Sequence, residues 1–242
     1  MNTMENKIKN IQADNYNYDR FKVEYFDFIN FPGENIGDPL GNYTFEKPDG
    51  AKINIKDFKG RPLVIETGSI TCPMYVKNIK QMNKLANKYK NALFVTIYVR
   101  EAHPGEKTTG HKNINDKTKK AIELPRVEPE NRLILIDDIN GSFHKKFGAL
   151  PNFSLVTDKS LNIIFRADWN NPELIEKVLD KQMSESDLKR DHYEPVKPSP
   201  WMAFRVTFRG GWLGFFDLFK SLPKLMKAHN SANEILSKNN KI

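Results

Sequence analysis

Residues 62–90 constrain this chain more than any other stretch. The run Pro62-Leu63-Val64-Ile65-Glu66-Thr67 is short and apolar, as a buried strand is. It leads into Gly68-Ser69-Ile70-Thr71-Cys72-Pro73. Helical spacing then takes over, with Val76, Ile79, Met82, Leu85, Ala86 and Tyr89 forming one stripe to about Lys90. Proline suits the first helical position, where its missing N–H costs nothing. Cys72, the only cysteine, is thereby placed at a helix N-cap.

That position has chemical consequences. A thiolate is the nucleophile, and a helix N-terminus lowers a cysteine pKa from about 8.5 into the range ~3.5–7.5. Backbone amides and the helix dipole both favour negative charge there. Ser69 and Thr71 add hydroxyl donors. The alternative is an inert core cysteine, but the strand, Cys-Pro, helix context favours a reactive thiol. A lone cysteine excludes an internal disulfide and a cysteine-rich metal site, so no metal and no resident cofactor are expected. Turnover would need an external thiol to resolve oxidised Cys72.

The remaining pattern supplies the fold. Residues 43–46 and 52–55 flank Pro48-Asp49-Gly50, a hairpin signal. Ala92 to Val99 is a near-continuous apolar strand, as parallel central strands are. A polar loop to about Lys112 precedes a helix to about Glu123. A strand at Arg132–Asp137 and a short helix at Ser142–Phe147 follow. Phe153–Thr157 and Asn162–Arg166 form a second hairpin, and a helix starts at Asn171-Pro172. The order ββ-βα-βα-βα-ββ-α predicts a thioredoxin-like α/β fold. Its central mixed sheet is flanked by helices, with an N-terminal hairpin extension and a C-terminal helical tail. Such folds keep a cis-proline beside the reactive sulfur, and Pro151 is the candidate. Tyr75 stands where the second cysteine of a thioredoxin motif would be. The expected division is a polar arm (1–20), the domain (21–190), a proline-bearing linker (191–200) and a tail (201–242).

These residues resemble the iodothyronine deiodinases and their bacterial redoxin-like relatives over roughly residues 37–180. Gly68-Ser69-Ile70-Thr71-Cys72-Pro73 is similar to the family's Gly-Ser-Cys-Thr-selenocysteine-Pro, with Cys72 at the selenocysteine position. Tyr98-Val99-Arg100-Glu101-Ala102-His103 is similar to its Tyr-Ile-Glu-Glu-Ala-His. His111 resembles a second family histidine opening a helix, and Trp169-Asn170-Asn171-Pro172-Glu173 resembles the start of its last helix. The resemblance implies a thiol-dependent oxidoreductase in which Cys72 attacks a halogen, or a peroxide oxygen. Tyr98, Glu101 and His103, with Ser69 and Thr71, would relay the proton, a carboxylate-held histidine supplying it near neutral pH. His111, Pro151 and Asn152 would bind substrate. Ile70 stands where the family has a cysteine, and Asn152 where it has a glutamate. The expected partners are a halogenated aromatic or a peroxide, and a thiol donor such as thioredoxin or glutathione.

The tail differs in character. Seven aromatics fall between Trp201 and Phe219, and from residue 199 seven Lys/Arg face two acids. Positions 212, 215, 216, 219 and 222 share one helical face, and Pro223 is expected to open a second helical piece. Such a face packs on its own domain, forms a homodimer through residues 201–222, or lies in a membrane interface. Packing is the preferred expectation. No signal peptide and no membrane-spanning run are apparent, so a cytoplasmic location, with peripheral membrane contact as the variant, is expected. The formal net charge of +8 is unaccompanied by a nucleic-acid motif, and none is expected as partner. Two other readings stay open: a peroxiredoxin-like thiol peroxidase, suggested by Ser69-x-x-Cys72, and a redox-inactive membrane-surface binding protein.

Overall fold

The computed structural model describes residues 16–188 and 192–239. Seven strands form one mixed sheet: β1 (Thr44–Glu46), β2 (Lys52–Asn54), β3 (Leu63–Gly68), β4 (Leu93–Tyr98), β5 (Leu133–Ile136), β6 (Ser154–Thr157) and β7 (Ile163–Ala167), in the order β2-β1-β5-β4-β3-β6-β7. β3, β4 and β5 run parallel. β6 is antiparallel to β3 and β7 to β6, and β1 joins the other side antiparallel to β5 through Glu46 and Ile136. The strand leading to Cys72 is thus central and hydrogen-bonded on both sides. This is the expected thioredoxin-like arrangement, with its N-terminal hairpin extension.

Strand periodicity explains how the sheet is covered. Alternate residues face opposite sides. Leu63, Ile65, Val95 and Ile97 join Phe45, Phe143, Phe147 and Phe153 in one apolar layer. Val64 and Phe94 point the other way, toward Met82, Leu85, Phe165 and Ile175. Both faces need cover, and the chain provides it with α1 (Pro73–Lys88), α2 (Ile114–Val127), α3 (Ser142–Lys146), α4 (Pro172–Leu179) and α5 (Glu185–Leu188).

Several expectations need correction. Tyr16 and Tyr18 are buried, because their rings sandwich the Arg100 guanidinium with Phe26, at 4.9–5.2 Å from the ring centroids. The domain therefore begins at or before residue 16; the rest of the expected arm lies outside the described residues. The linker is anchored as well. His192 Nδ1 lies 2.5 Å from Asp168 Oδ2, and its Nε2 lies 2.9 Å from Asn233 Oδ1. α6 (Pro200–Thr207) is followed by α7 (Trp212–Asn239), which runs straight through Pro223 rather than restarting there. Pro223 sits on the exposed side, where solvent can take the carbonyl left without a donor.

Candidate functional site

Cys72 is the N-cap of α1, as expected, and Pro73 is its first residue. The approach to it is tight. A Cβ on Gly68 would lie 2.2 Å from the Tyr75 ring, so only glycine fits where β3 turns toward the helix. Tyr75 is wholly buried, and its hydroxyl donates to Glu130 Oε2 at 2.6 Å. The position of a second cysteine is filled by a structural tyrosine.

The protonation state departs from expectation. The thiol is 1% exposed, and that burial pushes its pKa up to about 12. The Met74 and Tyr75 amides at the helix start pull it down, without making a hydrogen bond of capping geometry to the sulfur. The negative charges of Glu66 and Glu101 add to the rise. Desolvation thus outweighs the helix terminus. At neutral pH Cys72 is a thiol in this structure.

Beside it lies a web centred on Glu101. Thr71 Oγ1 donates to Glu101 Oε2 at 2.6 Å, and the Thr71 amide donates to the same oxygen at 3.2 Å. The Tyr98 hydroxyl donates to Oε1 at 2.5 Å and accepts from the Ile70 amide at 3.1 Å. His111 Nε2 stands 3.4 Å from Oε1, within ion-pairing reach but off hydrogen-bond alignment. Burial raises the Glu101 pKa, but His111, Thr71 and Tyr98 together outweigh it and hold the carboxyl below its ordinary range. Burial and the adjoining carboxylate drive the Tyr98 phenol far above its own. Glu101 is therefore an ionised carboxylate in a dry setting, and Tyr98 a fixed donor. Ser69 Oγ accepts from the Ala102 amide at 3.2 Å, tying the loop after β4 to the loop after β3.

The two histidines stand otherwise than expected. The ring of His103 does not meet Glu101; only its amide is engaged, donating to Thr71 Oγ1 at 3.2 Å. That ring packs against Phe21, centroids 4.6 Å apart, and burial takes its pKa down to about 4. It is neutral at pH 7, with Nδ1 buried and without a hydrogen-bond partner. The carboxylate-held histidine is His111, which the sequence reading assigned to substrate.

The two residues expected to bind substrate near the β6 entrance are corrected too. Among the described residues no peptide bond is cis, and Pro151 is trans. The chain turns before it instead, at Gly148 (φ +80°) and Ala149 (φ +56°). Asn152 is 1% exposed and donates to Glu66 Oε1 at 2.9 Å and to the Thr67 carbonyl at 2.7 Å. It belongs to an interior cluster that sequence reasoning missed. Arg132 reaches Glu66 Oε2 and Glu130 Oε2, each at 2.5 Å, and Asn170 donates to Glu66 Oε1 at 2.5 Å. The signal was present: Glu66 is a lone charge within an apolar strand.

The tail covers the centre. Val206 joins Cys72, Ile70 and Tyr75 in one apolar cluster, with Met202 against it. Arg209 Nη1 donates to the Ile70 carbonyl at 3.0 Å and also pairs with Glu128. A Cβ on Gly105 would lie 2.3 Å from the Gly210 carbonyl, and one on Gly210 would lie 2.3 Å from the His103 carbonyl. These glycines let the backbone after α6 seat directly on the loop that carries His103.

Comparison with known proteins identifies the family. The sequence model of iodothyronine deiodinase matches residues 17–171. Thyroxine 5-deiodinase of Ovis aries is 32% identical over 126 residues, which are 47% of this chain and 43% of that protein. Type II iodothyronine deiodinase of Homo sapiens is 38% identical over 74 residues, 29% of this chain and 27% of that one. The chain therefore spans under half the length of these relatives. Among solved structures, a putative protein disulfide isomerase from Bacteroides thetaiotaomicron superposes with a TM-score of 0.49 at 12% identity, over 63% of this chain and 91% of that one. With Cys72 ahead of α1 and the Glu101 web beside it, the match over residues 17–171 places this chain in the iodothyronine deiodinase family.

Proposed function

We propose that the chain is a thiol-dependent oxidoreductase that reduces an iodinated aromatic through Cys72. The observation that carries this reading is the juxtaposition of a lone N-cap thiol with the ionised, fully partnered Glu101 and its histidine, His111. In the reaction the sulfur attacks iodine, forming S–I as the C–I bond breaks. The electron pair left on carbon takes the proton released from the thiol, so Ar–I and Cys–SH give Ar–H and Cys–S–I. An external thiol then displaces iodide to form a mixed disulfide, and a second external thiol restores Cys72. His111, held by a carboxylate, carries the proton from sulfur toward carbon. Tyr98 and Thr71 fix Glu101 so that it does not rotate away. The deiodinase names of the relatives support the substrate class.

A second reading, peroxide reduction, draws on a different observation. Cys72 is so buried that a small oxidant reaches it with less rearrangement than an aromatic ring would need. There the sulfur takes one peroxide oxygen to give a sulfenic acid and an alcohol or water, and external thiols reduce it back. Incubating the full chain with dithiothreitol and an iodophenol, and separately with hydrogen peroxide, distinguishes the two. Iodide release that vanishes in Cys72→Ser is the expected result. Peroxide consumption without iodide release moves the assignment to a peroxidase, and neither activity refutes both.

A further inference from the structure

We propose that the outer face of α6 and α7 is a docking surface for an anionic phospholipid membrane. α7 is apolar on two sides. Gly214, Leu218, Leu225, Ala228 and Ala232 face the domain, where several of them join Tyr18, Phe21, Phe28 and Trp169. At 100° per residue, Trp212, Phe216, Phe219, Pro223 and Met226 fall opposite them. Those side chains stay in solvent: Phe219 is 62% exposed, Met226 59%, Trp212 53% and Phe216 47%, and on α6 Trp201 is 70% exposed. The two helices present one surface. Ring pairs run from Trp201 to Phe204, Phe208, Trp212 and Phe216, with centroids 4.8–5.8 Å apart. A monomer that folds for solution alone has no use for such a continuous aromatic row.

Charge decides what covers it. Between Trp201 and Ser231 the one acid is Asp217, which Arg20 engages at 2.5 Å. Glu106, at the edge, is occupied by the Trp212 and Leu213 amides at 2.6 and 2.9 Å. Lys220 and Lys227 are exposed beside the aromatic row, and among the described residues neither has an ion-pair partner. Lys107 Nζ sits 4.4 Å above the Phe208 ring. Exposed lysines flanking Trp and Phe suit an interface where the rings reach acyl chains and the ammonium groups meet anionic headgroups. On the outer face of α7 Lys220 and Lys227 outnumber the one acid, Glu234, so a second copy would bring an excess of like charge together. Among the described residues no helix is long and apolar enough to cross a membrane, so the surface would lie in the interface.

The test uses the full chain and vesicles of phosphatidylcholine alone or with 30% phosphatidylglycerol. Flotation with the anionic vesicles and weak flotation with the neutral ones is expected. Lys220→Gln and Lys227→Gln should each lower partitioning about fivefold, and Phe216→Ser with Phe219→Ser should abolish it while circular dichroism stays native. Raised salt should reduce binding, as it does for exposed charges. No flotation with anionic vesicles overturns the proposal, as does flotation unmoved by these substitutions. A concentration-dependent dimer that Phe216→Ser dissociates, with no vesicle binding, assigns the surface to a second copy and equally overturns it. Because Cys72 is untouched, iodide or peroxide turnover in detergent-free buffer separates failure of this surface from failure of the redox reading.

Discussion

Cys72 and Phe219 lie in opposite physical settings within one small molecule. Around Cys72 every element closes in, and the nearby charges are spent on one another: Glu101 on Thr71, Tyr98 and His111, and Glu66 on Arg132, Asn152 and Asn170. Around Phe219 the largest side chains are left in water while lysines stand beside them. Burial makes the first region sensitive to any lost partner, since a buried charge without one costs several kcal/mol. The second region should be nearly silent for folding, because its exposed groups lose little when changed. The contrast separates a buried part whose groups are partnered within the fold from a surface whose largest side chains are left exposed.

The strongest challenge to that contrast is Arg132→Leu. It leaves Glu66 and Glu130 buried without their cation, and should cost about 3–5 kcal/mol, a drop in melting temperature of roughly 10 °C. A loss under about 1 kcal/mol would mean that the interior relaxes far more easily than its hydrogen bonds indicate. Glu101→Gln comes next. It keeps the shape but removes the charge that holds His111, and should cut turnover by about a hundredfold with less effect on stability. Circular dichroism and a melting curve on the same sample separate the two effects.

How much of this could be read from the chain divides along the same line. The order of strands and helices and the N-cap position of Cys72 were legible, because they follow from local spacing; the partnership of Tyr98 with Glu101 was legible only through the family resemblance. The thiol's protonation state was not. Its local helix terminus pointed down, while the cover that pushes it up comes from α6, more than 120 residues later. For the same reason His103 and His111 were interchanged: both follow β4, and only the folded loop shows which ring turns toward Glu101. Asn152 was expected to bind substrate because it stands where the family has a glutamate. Its amide instead completes a cluster whose other members, Glu66 and Arg132, sit on separate strands or beside them. Pro223 misled in the opposite sense, since an exposed helix side tolerates a proline that a buried one would not.

The buried thiol carries its own pH signature. With its pKa raised to about 12, the thiolate fraction grows tenfold per pH unit across the range where the fold is assayed. Iodoacetamide alkylation of Cys72 should therefore rise log-linearly from pH 7 to 9.5 without a plateau. A plateau below pH 8 would show that the helix terminus prevails over burial in solution. Arg209→Ala probes the cover directly. It removes the hydrogen bond to the Ile70 carbonyl while Arg205 keeps Glu128 paired, so alkylation should quicken severalfold with the pH slope unchanged.

Phe219→Ser is the smallest expected effect, and the sharpest for the comparison. The ring is 62% exposed and its closest ring neighbour, Phe215, remains. The melting temperature should stay within the shift that ±0.5 kcal/mol produces, roughly 2 °C. Alkylation of Cys72 should not change, since the outer face of α7 does not touch the inner one that seats on the domain. A clear destabilisation would show that the aromatic row is structural after all, holding α6 and α7 together through ring contacts rather than waiting for something to cover it. Stability unchanged beside a large loss elsewhere, as in Arg132→Leu, would mean the two regions answer to different demands: one to the fold and its reaction, the other to the surroundings.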